Sequence, residues 1–308
     1  VDIMMKQRTL DRKFTLKGKG LHTGQDVVVQ FCPAEENYGY KIERTDLSHK
    51  PVITANAKNV TSTDRGTNLS EKGFSVGTVE HALAALYGCK IDNCHIKIYG
   101  SEFPILDGSA AEYVKKIHIS GIREQNAERK YLTIRHKIEY ADEISGSRIS
   151  IFPDESFSID VKVIFDSDII EEQSMQFDES SDFEKEIAAC RTFVFVKEIK
   201  VLLQKGLIKG GNLENAIVIY DTPIGQEEFD ELADIMAVEK RPSENVGYLS
   251  SLPLKYPNEL ARHKLLDLIG DLSLSGQFIK GRIVACCPGH RVNNLFARTL
   301  IREINGYL

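Results

Sequence analysis

Twice along this chain a series of short, strand-like segments gives way to helices with an apolar stripe, and a polar run separates the two series. Strands grouped ahead of helices, rather than alternating with them, predict α+β domains instead of a wound parallel sheet. In the first series Val27 to Phe31, Tyr40 to Glu43 and Val52 to Ala55 read as strands. A helix starts near Ser75 and carries Val79, Ala82, Leu83 and Leu86 on one face before a stop at Gly88. A strand from Cys94 to Ile98 and a helix from Ser109 to about Ile117 follow. The second series has strands at Tyr131 to Ile134, Arg148 to Phe152, Phe157 to Phe165, Ser174 to Phe177 and, last, Gly281 to Cys287. Its helices are expected at Asp182 to Cys190, about Glu198 to Gln204, Leu260 to Leu274 and Asn293 to Asn305. The charged run from Gly121 to Lys130 reads as the linker between domains 1–128 and 129–308. The stretch from Thr222 to Asn258, with four prolines, is expected to wrap the surface, and no exact internal repeat is visible.

Charge and cysteine usage narrow the partners. Lys and Arg total 39 against 45 Asp and Glu, a net charge of −6, which excludes nucleic acid as the main partner. A local basic patch could still hold a small anion. No apolar run approaches the ~18 residues of a membrane span. The start, Val1-Asp2-Ile3-Met4-Met5-Lys6, has neither the apolar stretch nor the small-residue cleavage site of a secretory leader. Cys32, Cys89, Cys94, Cys190, Cys286 and Cys287 form no Cys-x-x-Cys pair. They are expected as reduced thiols of a cytoplasmic protein. The segment Gly18-Lys19-Gly20-Leu21-His22-Thr23-Gly24 meets neither phosphate-loop nor dinucleotide spacing, so its glycines read as turns between strands.

Three histidines have suggestive neighbours. His263 and Asp267 stand at i and i+4 on one helical face, starting ~5–6 Å apart, close enough to share a metal ion. The same spacing also suits a surface ion pair. Asp271 extends that polar face by a turn. Glu80 and His81 are adjacent on a helix and diverge by ~100°, so one could bind a metal while the other faces water. A favourable Glu near a helix start explains the Glu alone equally well. His290 follows Pro288-Gly289 after a buried strand, a corner that exposes an imidazole. Two His, an Asp, a Glu and a spare His fit a mononuclear zinc hydrolase, with three protein ligands and one open position.

The segments Gly20-Leu21-His22-Thr23-Gly24, Thr78-Val79-Glu80-His81, Phe103-Pro104-Ile105-Leu106-Asp107-Gly108-Ser109, Arg191-Thr192-Phe193, His263-Lys264-x-x-Asp267-x-x-Gly270-Asp271 and Gly289-His290-x-x-Asn293-Asn294 occur in order. Together they resemble the UDP-3-O-acyl-N-acetylglucosamine deacetylase family of lipid A biosynthesis over nearly the whole chain. The resemblance implies two α+β domains with helices packed between two outer sheets, and a cytoplasmic zinc enzyme that removes acetate from an acylated UDP-sugar. It implies His81, His263 and Asp267 as ligands of one Zn2+ per chain. It makes Glu80 the general base, Thr192 the donor to the oxyanion, and His290, oriented by Asp271, the group that stabilises that anion or protonates the amine. Lys264, Phe193 and Phe165 would contact substrate. An insert at about 193–221 would hold the acyl chain, with Leu202 and Leu207 lining it. Two departures stand out: Asp166-Ser167-Asp168 follows Phe165 where the family often has His-Pro, and the 222–258 stretch is longer than the usual linker. Some members are fused to a hydroxyacyl carrier-protein dehydratase, so a C-terminal module is a further expectation. The rival readings are a zinc amidase acting on another acylated substrate and a catalytically silent sugar-nucleotide binder.

Overall fold

The structure, a computed structural model, describes residues 5–249 and 252–305. The chain start (1–4), residues 250–251 of the proline-rich stretch and the last three residues lie outside them. Two sheets of the same design carry the fold. The first is five-stranded, in the order Phe14–Lys19, Asp26–Pro33, Cys94–Tyr99, Tyr40–Arg44 and Val52–Thr54. The second runs Ile138–Ala141, Arg148–Phe152, Phe278–Cys286, Phe157–Val163 and Gln173–Asp178, with Tyr131–Thr133 added beside Phe278–Cys286. In each sheet the last strand in the chain takes the middle place. It is antiparallel to one neighbour and parallel to the other. The recurrence that the sequence hides is therefore a recurrence of topology.

The helices of the main core fill the space between the sheets, and two others pack on a small three-stranded sheet. α1 (Glu80–Gly88) and α2 (Ala111–Ser120) belong to the first half. The short α3 (Phe183–Glu186), α4 (Val196–Gln204), α5 (Gln226–Met236), α6 (Glu259–Ser273) and α7 (His290–Asn305) belong to the second. α1 and α6 pack on each other and are buried on nearly every face, as helices enclosed between two layers must be. Strands supply the outer walls by alternation: Asp26–Pro33 buries Val27, Val29 and Phe31 and turns Asp26 and Val28 outward. One continuous core runs from Phe31 and Ile96 through Leu83 and Leu266 to Ile151 and Ile283. The architecture is α+β.

Several expected elements change. The helix expected from Ser75 begins at Glu80, because Phe74–Val76 pairs as a strand with Asn68–Glu71. Thr78 then adopts φ 54, an outlier for a β-branched residue. The run expected as a linker is instead a strand, Ile122–Glu128, antiparallel to Lys6–Leu10. Its polarity suits an exposed ribbon whose Asn126 and Ala127 N–H groups donate to the Glu36 carboxylate. The helix expected over Asp182 to Cys190 lasts only the four residues of α3. The 222–258 stretch holds α5, which buries Phe229, Leu232 and Ala233 against Val218 and Tyr220, so it carries a small core of its own.

Each half also carries a three-stranded insert at the same point, between its edge strand and its central helix. The first is Val60–Ser62, Asn68–Glu71 and Phe74–Val76; the second is Phe193–Phe195, Ile217–Tyr220 and Gly247–Tyr248.

Candidate active site

The site forms where α1 crosses α6. The first turn of α1 presents Glu80 and His81; α6 presents His263, Asp267 and Asp271 at successive turns of one face; α7 opens with His290. The crossing is tight, since a Cβ on Gly270 would lie 2.2 Å from the Glu80 carbonyl oxygen. Gly270→Ala should therefore push the helices apart and cost about 1–3 kcal/mol, the usual range for overpacking. A denaturant titration beside the unmodified protein measures it, and an unchanged midpoint would contradict this packing.

One ligand atom from each of His81, His263 and Asp267 lies within 4.8 Å of the others. His81 Nε2 and His263 Nε2 stand 3.6 and 3.4 Å from Asp267 Oδ1. That oxygen is buried and has no hydrogen-bond partner, an arrangement that is costly for a carboxylate unless a cation satisfies it. His263 Nδ1 lies 3.0 Å from the Cys190 carbonyl, which can only accept, so Nδ1 carries the proton and Nε2 keeps its lone pair for the site. Burial pushes His263 down to about 4, leaving the imidazole neutral near pH 7. Burial opposes ionisation of Asp267, yet His263, Lys264 and His290 hold its carboxyl well below the usual range. Two imidazole nitrogens and one carboxylate oxygen fit a zinc ion and could hold one with a fourth position open.

Around this trio stand further titratable groups. Burial pushes the Glu80 carboxyl up, against the pull of His290 and His81. His290 Nε2 is 3.7 Å from Glu80 Oε1 and 3.8 Å from Asp267 Oδ2. Its Nδ1 lies 2.9 Å from Asp271 Oδ2, which also accepts from the Asn293 amide at 2.8 Å. Burial disfavours the imidazolium, but Asp271, Asp267 and Glu80 outweigh it and push His290 up to about 10. Thr67 joins the two sides: its N–H donates to Glu80 Oε2 at 2.9 Å and its hydroxyl to Asp271 Oδ1 at 2.5 Å. Sequence reading missed Thr67, because nothing in its neighbourhood marks a threonine of a small insert as a partner of residues 13 and 204 positions away.

The expected substrate residues divide. Lys264 Nζ lies 3.0 Å from Asp267 Oδ2 and 5.2 Å from the centre of the Phe193 ring. Phe193 meets Phe165 at 5.9 Å and His263 at 6.3 Å, both edge-on, so these residues form one wall beside the ligands. Thr192 and Phe193 open into a largely apolar cavity of about 120 Å³ lined by Ile199, Leu202, Leu203, Ile208 and Val218, among others. Leu202, named above as a lining residue, is part of this cavity wall. Leu207 faces a neighbouring hollow with Lys197, Val201 and Lys205, and Ile208 lines the cavity. Ile208 has left-handed backbone, φ 52.

Two buried carboxylates also escaped the sequence reading. Glu102 accepts four bonds: from His22 N–H and the Thr78 hydroxyl on Oε1, and from the Thr23 N–H and hydroxyl on Oε2. It ties the Gly20–Gly24 turn, whose His22 lines the cavity, to the strained residue ahead of Glu80. Glu259 pairs with Arg191 at 2.9 Å, both almost wholly buried, and so anchors the Arg191-Thr192-Phe193 segment. Burial raises the Glu259 carboxyl, but Arg191 and the Lys255 N–H outweigh it and the net shift is downward. A folded value below the unfolded one, about 4.3, contributes stability above that pH and loses it as pH falls through the folded value. Glu259→Gln should thus cost about 3–5 kcal/mol at pH 7, and the gap from the unmodified protein should narrow in acid. Urea titrations at pH 7 and pH 4 check both, and a gap that widens toward acid would refute the sign.

A trio that could hold a metal ion stands beside a buried carboxylate and a carboxylate-held imidazole on a doubled α+β frame. Comparison with known proteins assigns the family: the family model described as LpxC, UDP-3-O-acyl N-acetylglycosamine deacetylase, matches residues 7–234 and 243–302, and the chain belongs to that family. The chain is 54% identical over 301 residues to a bifunctional enzyme LpxC/FabZ of Bacteroides thetaiotaomicron and 51% identical to that of Porphyromonas gingivalis. Each match covers 98% of this chain, which spans 65% of the relative's length. A UDP-3-O-acyl-N-acetylglucosamine deacetylase of Myxococcus xanthus is 36% identical over 302 residues, covering 98% of this chain and 88% of that protein. No helix among the described residues is long and apolar enough to cross a membrane.

Proposed function

We propose that the chain hydrolyses the N-acetyl group of UDP-3-O-acyl-N-acetylglucosamine to the free amine and acetate, using one catalytic Zn2+. The observation that carries this reading is the orphaned Asp267 Oδ1 between two imidazole nitrogens, with Glu80 and His290 within reach of the same point. A zinc ion held by His81, His263 and Asp267 would polarise the amide carbonyl and acidify water. Glu80, its proton affinity raised by burial, takes the proton of the attacking water. The Thr192 hydroxyl donates to the oxyanion that develops on the carbonyl oxygen. His290, charged and fixed through Nδ1 by Asp271, gives its Nε2 proton to the departing amine, a leaving group too poor to go as an anion. A silent binder has no use for such a base and acid around a metal-ligand trio.

Acetate release from the acylated UDP-sugar, before and after chelator dialysis and again after zinc is restored, tests the reading. Full turnover by metal-free protein would overturn it. The bifunctional relatives support the expectation of a dehydratase module beside this one, and the six free thiols suit a cytoplasmic setting.

The apolar cavity beside Thr192 suits the 3-O-acyl chain. Each methylene buried there contributes ~0.8 kcal/mol, roughly fourfold in affinity. Shortening the chain stepwise should lower kcat/KM by about that factor per step, and Leu202→Asn or Ile208→Asn should flatten the dependence without loss of zinc. Only variants that melt like the parent count. A kcat/KM indifferent to chain length would remove the cavity from the substrate path.

A further inference from the structure

Cys286 ends the strand Phe278–Cys286, and Cys287 follows it with φ 51. Along a regular strand successive side chains point to opposite faces. The left-handed backbone at Cys287 folds its side chain back, and the two sulfurs lie 3.9 Å apart. Both residues are half-buried and both thiols are free. Two bonds hold the turn: Cys287 N–H donates to the Lys162 carbonyl at 2.7 Å, and the Ser147 hydroxyl donates to the Cys287 carbonyl at 2.7 Å. Pro288 is buried behind them, and His290 opens α7 three residues after Cys287. The Asn293 N–H closes the first turn of α7 onto the Gly289 carbonyl at 2.8 Å.

We propose that Cys286 and Cys287 are a modification site, a reversible vicinal disulfide whose closure shifts the turn that places His290. The oxidant is a small disulfide of the glutathione class. The thiolate of one cysteine attacks it, forming a mixed disulfide and releasing one small thiol. The other cysteine then attacks the mixed disulfide and releases the second. Two protons and two electrons pass from the pair to the oxidant, and one sulfur–sulfur bond replaces another. Closure must bring the sulfurs from 3.9 Å to ~2.05 Å. Neighbouring Cα atoms are ~3.8 Å apart across a trans peptide, shorter than the ~4.4–6.8 Å of ordinary disulfides. The ring therefore closes under strain, and strained disulfides are the readily reduced, switchable ones. The strain falls on the turn, because the strand behind it is locked into the sheet on both sides. Burial pushes the Cys286 thiol up, so little thiolate is present at neutral pH and exchange takes minutes to hours. The other buried thiols are poorer candidates: burial pushes Cys89 and Cys190 up to about 12 and Cys94 up as well.

The effect on turnover rests on the function proposed above, so the experiment reads the pair in two further ways. The whole chain is incubated with graded ratios of oxidised to reduced glutathione, then digested and weighed. It is examined in parallel by amide hydrogen exchange. The peptide holding Cys286 and Cys287 should lose two hydrogen masses and regain them with dithiothreitol. Exchange at the amides of Gly289 to Asn294 should speed up several-fold in the oxidised form. Deacetylation should fall roughly 10–100-fold, the cost of displacing a catalytic group by about an ångström, and return on reduction. Cys286→Ser and Cys287→Ser should keep basal activity and lose the response. Glutathione adducts without ring closure would overturn the proposal, as would a closed ring that leaves exchange at Gly289 to Asn294 unchanged. A chain inactive even when reduced would sink the deacetylase reading, while the mass and exchange measurements still decide the disulfide.

Discussion

Glu80→Ala should leave zinc content intact and lower kcat by about 10²–10⁴, the range for loss of a general base. The retained metal is what separates this result from a folding defect, because Glu80 shares its helix with the proposed ligand His81. The carboxylate also accepts the Thr67 N–H, so its removal leaves that buried donor without a partner and costs some stability. Glu80→Gln keeps an acceptor for Thr67 and removes only the base. It should lose turnover as heavily while melting nearer the parent. Metal analysis, melting and turnover on both variants give the comparison. A Glu80→Gln enzyme with parental kcat would show that the proton goes elsewhere.

His81→Ala should remove the metal and the activity together. One of three ligand atoms disappears, and the pair that remains, His263 and Asp267, lies on a single helix and spans only one side of the position. Loss of one ligand of three should reduce occupancy to a trace under dialysis that leaves the parent loaded. The substitution leaves a buried cavity on an otherwise apolar helix, so the melting temperature should fall too. Added zinc should restore neither property. If His81→Ala retains full metal and full turnover, the ligand set is wrong.

Much of this site could be read from the sequence because its groups lie within helical turns. His263, Asp267 and Asp271 repeat at four-residue spacing, which fixes their shared face without any knowledge of the fold. Glu80 beside His81 is equally local. That α1 meets α6 is a long-range fact, and composition alone did not supply it; the ordered motifs of the resembling family did. Residues with no local signature stayed hidden. Thr67, Glu102 and Glu259 each act by accepting or giving hydrogen bonds to partners far along the chain. Among the elements, the strand-like segments with clear alternation, such as Asp26–Pro33, were legible. Ile122–Glu128 was not, because a ribbon wet on both faces has no alternation to show and reads as a linker.

The paired inserts bear on how such a chain can change over generations. Both halves accept extra chain at one equivalent point, outside the strands and helices that fix the ligands. In the first half that addition brings Thr67 to Glu80 and Asp271; in the second it builds the apolar cavity. The two additions nevertheless touch, where Arg65 of the first pairs with Glu198 of the second. Lengthening or trimming the second addition alters what the cavity accepts while His81, His263 and Asp267 keep their spacing. Drift at Arg65 or Glu198 is felt in the other addition, so the two extensions change together on a frame that stays fixed.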